Sequence, residues 1–261
     1  MKLGNHNIGS LNKKKQKVDF SQFIETIIAR KESDTDKTIE FNMISEEVGI
    51  EKRRLYDLMN VFCSCGVCVK TDAHFYQWKG LNQVEITLLN LIKARESQGI
   101  IYKNFQQLFP LPESPSIGLL TTTLLSLFLY LGTQTLILHE VSKFLTSDVK
   151  KEKQITRRLY LVTYLLEQMK VLKHGNKNGE YEINYNVNQI VKKALNEISH
   201  NDDFPPYSIE YQLNRFDDSY ILNVHQTRYI EYLSIIRNRS HNQSSNIEAL
   251  KTNIPKQMIE V

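Results

Sequence analysis

A chain of 261 residues, 41% of them hydrophobic, has room for one large domain or two small ones and enough apolar content to build their cores. Lysine and arginine number 33 against 29 aspartate and glutamate, a formal charge of +4 that permits an acidic partner such as nucleic acid without requiring one. No apolar run reaches the ~18 residues of a membrane span and the first residues lack the apolar stretch of a signal peptide, so the expectation is an intracellular chain with no membrane association.

The chain opens on Lys13, Lys14, Lys15 and Lys17, a basic arm that can neutralise phosphates or enter a minor groove, or else serve as a nuclear-import signal or simply keep the chain soluble. Phe20, Phe23, Ile24, Ile27 and Ile28 then follow the i, i+3, i+4, i+7, i+8 spacing of one helix face. Phe41, Ile44 and Val48 predict a second, shorter helix, and Gly49 separates it from a third that begins near Arg53-Arg54 and runs to about Cys65. Residues 67–70 and 74–78 read as strand, turn and strand. A connecting helix over 82–97 and a joint at Pro110, Pro112 and Pro115 follow.

The pattern then repeats. Leu124, Leu127, Phe128 and Leu131 predict an amphipathic first helix, Leu138, Val141 and Leu145 a second, and Arg157-Arg158-Leu159-Tyr160 restates Arg53-Arg54-Leu55-Tyr56. Residues 146–156, longer than the matching gap in the first copy, are expected to be a polar loop insertion. The third helix of this copy runs to about Met169, and 171–174 and 181–185 flank a turn at Gly175-Asn176-Lys177-Asn178-Gly179. Val187, Ile190, Val191, Leu195 and Ile198 predict a helix, Pro205-Pro206 a break, 221–236 a last helix, and the polar stretch from Arg237 a disordered tail.

Three helices followed by a hairpin make a winged helix, a helix-turn-helix whose third helix can enter a major groove while the hairpin lies along the backbone. On a helical wheel Leu55, Leu58, Met59 and Phe62 share one face of the first third helix, and Arg53, Tyr56, Asp57 and Asn60 the opposite one. Two guanidinium forks on a presented face suit the O6 and N7 acceptors of guanine. Taken alone, an Arg-Arg pair is more often a solvated surface. Its place on the third helix of a winged helix is what favours recognition.

Arg53-Arg54-Leu55-Tyr56-Asp57-Leu58-Met59-Asn60-Val61 resembles the Arg-Arg-x-Tyr-Asp-x-x-Asn-Val recognition helix of the E2-factor/dimerisation-partner family of transcription factors. Gln77-Trp78-Lys79-Gly80 resembles the Gln-Trp-x-Gly that ends the family's wing, and Ser116-Ile117-Gly118-Leu119-Leu120-Thr121 the opening of its first helix. Two copies in one chain are similar to the family's atypical members, which carry both DNA-binding domains in tandem. The resemblance implies that Arg53 and Arg54 read a G/C-rich core, with Tyr56 and the basic arm on the backbone, and that Arg157, Arg158 and Tyr160 inherit those roles. The second copy departs from the pattern, with Leu161 at the family's Asp, Tyr164 at its Asn and Glu113 where an arm would be basic. Its DNA face is expected to be the weaker one.

Cys63, Cys65 and Cys68 crowd into six residues but lack a four-ligand zinc spacing, and the repeat pairs Cys65 with Met169 and Cys68 with Leu172, which places two of them in the core. No phosphate loop, His-Glu-x-x-His or nucleophile elbow is present, so neither an enzyme, a metal nor a cofactor is expected. The expected fold is α+β and mostly helical: a basic flexible arm over 1–17, winged-helix domains over 18–80 and 114–185 joined by a connecting helix and linker over 81–113, and a helical extension with a disordered tail over 186–261. The expected function is a nuclear transcription regulator, sequence-specific for double-stranded DNA, with cell-cycle genes implied by the resemblance. Lys15, Lys17, Lys52, Arg53, Arg54, Tyr56, Asp57, Asn60, Arg157, Arg158 and Tyr160 would carry the contact. The two winged helices would pair within the chain or with a dimerisation-partner-like protein. The alternative is a winged-helix scaffold subunit of a nuclear complex with weak or no specific DNA binding.

Overall fold

The computed structural model describes residues 19–99, 105–199 and 218–252. Helix α1 (Phe20–Ser33) starts where the Asp19 side chain accepts from Ser21 N at 3.3 Å, and it buries Phe23, Ile24 and Ile27. Strand β1 (Thr38–Glu40) leads directly into α2 (Phe41–Val48), which stops at Gly49 in the left-handed conformation, φ 69°. Helix α3 (Lys52–Ser64) follows, then β2 (Cys68–Lys70) and β3 (Phe75–Trp78). The sheet has three strands rather than two, in the order β1-β3-β2 and antiparallel throughout. Three residues are too few to show a period of two, which is why β1 has no sequence signature.

After the wing comes α4 (Gln83–Gly99), then a 3-10 turn (Phe105–Leu108). The same sequence of elements returns as α5 (Ile117–Leu131), β4 (Thr135–Ile137), α6 (Leu138–Leu145), α7 (Val149–Gln168), β5 (Leu172–His174) and β6 (Glu180–Ile183), with sheet order β4-β6-β5. The repeat extends to single hydrogen bonds. Val67 N donates to Phe62 O and Val171 N to Leu166 O, both at 2.9 Å. Phe41 N donates to His74 O and Leu138 N to Gly179 O, again both at 2.9 Å. Helix α8 (Val187–Ser199) then answers α4, and α9 (Asp218–Thr252) closes the described chain.

Three expectations for the helices also change. Residues 149–156 are not a loop, because Asp148 caps a helix there by accepting from Lys150 N at 2.8 Å, and α7 runs unbroken into Arg157-Arg158. Helix α5 is not amphipathic: residues 123–131 are all buried, because α3, α4, α7, α8 and α9 pack around it. The last helix does not end near 236. Helix α9 continues to Thr252, so the polar stretch from Arg237 is helical over most of its length rather than disordered. The basic arm at Lys13, Lys14, Lys15 and Lys17, the break at Pro205-Pro206 and residues 253–261 lie outside the described residues.

One continuous hydrophobic core runs through both copies with α5 at its centre. In the first copy Trp78 meets Phe62 edge-on at 5.4 Å, and its indole N–H donates to Glu32 Oε1 at 3.3 Å, an oxygen that also accepts from Leu81 N at 2.7 Å. This ties the end of the wing to α1. Cys65 and Cys68 are fully buried in the same core, and burial pushes the Cys65 thiol up to about 12. Across the joint, Phe105 packs at 5.3 Å from Tyr130 and 4.9 Å from Phe144, so the 3-10 turn is part of the core and not a free linker.

Candidate nucleic-acid interface

The burial of Leu55, Leu58, Met59 and Phe62 fixes the rotation of α3 and leaves Lys52, Arg53 and Arg54 exposed on its first turn. Arg54 lies 3.8 Å from Glu51 Oε2 and 5.9 Å from the centre of the Phe20 ring, a loose cradle that orients the fork while leaving it wet. Tyr56 is 40% exposed, yet its ring stacks on Phe41 at 4.1 Å, so its hydroxyl is presented from a fixed base.

Asp57 and Asn60 differ from these residues. Asp57 is half-buried; burial raises its carboxyl above the ordinary range, against the pull of Arg53 first and then of Arg158 from the other copy. The side chain of Asn60 is exposed, but its carbonyl lies beside Gly118 of α5. A Cβ at Gly118 would fall 2.7 Å from Ser64 Oγ and 3.6 Å from Asn60 O, so the absence of a side chain there is what lets α5 reach α3. A helical wheel groups Arg53, Tyr56, Asp57 and Asn60 on one face. The structure divides that face between solvent and the second copy.

In α7, Arg157 is exposed and Tyr160 is 42% exposed, with its hydroxyl 3.0 Å from the place a Cβ on Gly179 would take at the turn of the second wing. Arg158 is half-buried and gives Nη1 to Pro115 O, so it is turned toward the junction between the copies. Leu161 and Tyr164 are half-buried as well, and Tyr164 lies against Phe20 of α1, ring centres 6.4 Å apart. Nearby, Ser21 Oγ donates to Gln168 Oε1 at 2.6 Å. Helix α3 thus packs on α5 while α1 packs on α7. The two arginine-bearing helices flank one cleft of about 850 Å³ lined by Phe20, Arg53, Arg54, Asp57, Leu161 and Tyr164.

Of the residues singled out from sequence, the structure therefore brings Arg53, Arg54 and Asp57 to one cleft and leaves Arg157, Tyr56 and Tyr160 on exposed faces. It turns Arg158 inward, and Lys15 and Lys17 lie outside the described residues. Sequence reasoning missed the supporting roles of Phe20 and Phe41, both of which look like ordinary core positions. The signal for Phe20 was available in the second copy, where an apolar Leu161 and an aromatic Tyr164 replace two polar residues.

Residues 19–80 match the winged-helix DNA-binding domain of the E2-factor/DP family. The first winged helix belongs to that family. Transcription factor E2F7 of Danio rerio is 25% identical over 164 residues, covering 54% of this chain and 23% of that protein. Transcription factor efl-3 of Caenorhabditis elegans is 27% identical over 64 residues, 24% of this chain and 11% of that protein. The chain therefore spans less than a quarter of the length of either curated relative. The segment matched to the E2-factor/DP domain runs from the cap of α1 to Gly80, the residue that turns at φ 105° two positions after the wing. No helix among the described residues is long and apolar enough to cross a membrane.

Proposed function

We propose that the chain is a non-enzymatic, nuclear regulator of transcription that binds double-stranded DNA in a sequence-specific manner through two winged helices paired within one polypeptide. Arg53 and Arg54 read guanine edges of a G/C-rich core, Tyr56 and Lys52 hold the backbone beside them, and Arg157 with Tyr160 present the second helix. Asp57 and Asn60 set the junction that holds the two helices at a fixed spacing. The observation that carries this reading is the cleft: two third helices, each with an exposed arginine, meet on either side of it. Contacts of α3 with α5 and of α1 with α7 support pairing within the chain in place of a separate dimerisation-partner-like protein.

Selection from random-sequence duplexes is the direct test. A single enriched G/C-rich motif is expected. Arg53→Ala and Arg54→Ala should each lower affinity for it by roughly 1–3 kcal/mol while affecting unrelated duplex much less. If no sequence is enriched, the winged helices serve as a protein scaffold and this reading falls.

A further inference from the structure

We propose that Lys150 and Lys153, on the helical turns that precede the second arginine pair, are contacts for the phosphates of duplex DNA. This deepens the DNA-binding reading above and rests on it. Helix α3 starts immediately before Arg53, whereas α7 starts at Val149, roughly two turns ahead of Arg157. Lys150, Lys153 and Arg157 stand at i, i+3 and i+7, all three are exposed, and the stripe they form is about 10 Å long at 1.5 Å per residue. Tyr160 continues it toward the second wing.

The extension is a docked piece of helix and not a frayed end. Ile155 and Glu152 are buried on its inner side. Thr156 Oγ1 donates to Ser142 Oγ at 2.8 Å, and Glu152 lies 3.5 Å from His139 Nδ1 on α6. Lys151, between the two exposed lysines, is half-buried and pairs with Glu113 at 3.9 Å. Lys150 and Lys153 have no ion-pair partner among the described residues.

Their placement runs against helix electrostatics. The N-terminal turns of a helix carry the positive end of its dipole and favour acids; Asp148 meets that preference at the cap and Glu152 points inward, yet the charged side chains at 150 and 153 that point out from these turns are lysines. Unpaired cations held rigidly in line with a groove-facing arginine suit a ligand with closely spaced negative charges. Lysine, a point charge without a fork, serves phosphate better than it reads a base edge. The chemistry therefore divides between the copies, with base reading concentrated on α3 and added backbone affinity on α7.

The test uses the full chain with Lys150→Gln and Lys153→Gln combined, which keeps the helical stems and removes the charges. Binding is measured against the selected duplex and an unrelated one over a range of salt. Affinity should fall by the same factor for both duplexes, and the plot of log K against log salt should flatten by roughly 1.8, about 0.9 for each phosphate that is no longer neutralised. The enriched motif should not change, and Tm should stay level or rise. An unaltered slope in a chain that still binds duplex would overturn the assignment alone, and a loss confined to the selected sequence would reassign the lysines to base reading. Wild-type chain that binds neither duplex would overturn the assignment together with the reading beneath it.

Discussion

Arg228 places its guanidinium carbon 3.7 Å from the centre of the Tyr130 ring and gives Nη1 and Nη2 to the two carboxylate oxygens of Glu96, each at 2.7 Å. Three helices meet at this point: α9 supplies the arginine, α4 the acid and α5 the ring. Both charged side chains are only 16% exposed, so removing one leaves the other poorly hydrated. Glu96→Gln or Arg228→Ala should therefore lower stability by about 2–4 kcal/mol, and replacing both, by Glu96→Leu with Arg228→Met, should recover most of that loss. Urea unfolding of the three variants checks this. A double variant no better than the singles would show that the stacked arginine, not the charge pairing, is what holds α9.

The two copies offer a matched comparison at the exit from the third helix. Gly66 has φ 74°, and at the equivalent place the second copy has Lys170 at φ 59°, the sole non-glycine with positive φ among the described residues. A side chain in this conformation carries strain of about 1–2 kcal/mol, part of which glycine gives back through its freedom in the unfolded chain. Lys170→Gly should accordingly stabilise the protein by about 0.5–1 kcal/mol, read from the denaturation midpoint. Gly66→Ala should destabilise it by more than that, since its new Cβ would also meet the Thr87 hydroxyl that bonds to Cys65 O.

A pH effect follows from His225. The residue is 5% exposed, packs over Gly132 and has no partner for Nδ1 among the described residues; burial, followed by the field of Arg228 and against that of Glu96, lowers its pKa from 6.5 to about 4. The folded chain thus keeps the imidazole neutral. Below pH 6.5 the unfolded chain takes up a proton that the folded chain declines until about pH 4, so stability from this residue falls as pH drops through that window. Between about pH 7 and about pH 5 the loss should be about 2 kcal/mol. His225→Leu should remove that slope, and a variant that keeps it would assign the pH dependence to other groups.

Much of this was legible in the residues. The shared Arg-Arg-Leu-Tyr, the helix spacing around Phe23 and Ile27 and the glycine-rich wing turn are local signals, and local signals survive without knowledge of the fold. What the sequence hid depends on contacts between distant segments. Residues 123–131 are apolar nearly all round, which is itself a local sign of a buried helix, but which five helices surround them is not local. Polar residues 146–156 look like a loop because the inward turn of Glu152 toward His139 becomes visible only when α6 is in place, although the cap at Asp148 is a local signal. In the candidate interface, arginines 157 and 158 are indistinguishable as letters, and what separates them is that Arg157 stays exposed while Arg158 is half-buried against Pro115 O.

That separation leads to a last, asymmetric prediction. Arg157 is exposed, whereas Arg158 is half-buried, donates a hydrogen bond to Pro115 O and helps hold the Asp57 carboxylate across the junction. A charged donor withdrawn from a carbonyl at such a junction is worth about 1.5–3 kcal/mol, and some of that is lost to solvent at a half-buried site. Arg158→Ala should consequently lower stability by about 1–2 kcal/mol while leaving the affinity of the folded chain for its selected duplex within about threefold. Arg157→Ala should do the reverse, with Tm unchanged and specific affinity reduced roughly fivefold or more. In the first copy no such division is expected, because Arg53 and Arg54 are both exposed and both line the cleft. Melting curves and binding isotherms on the four single variants give a two-by-two comparison. Equal binding losses at positions 157 and 158 would mean that Arg158 leaves Pro115 when DNA arrives, and that the two copies approach the duplex as equivalent halves.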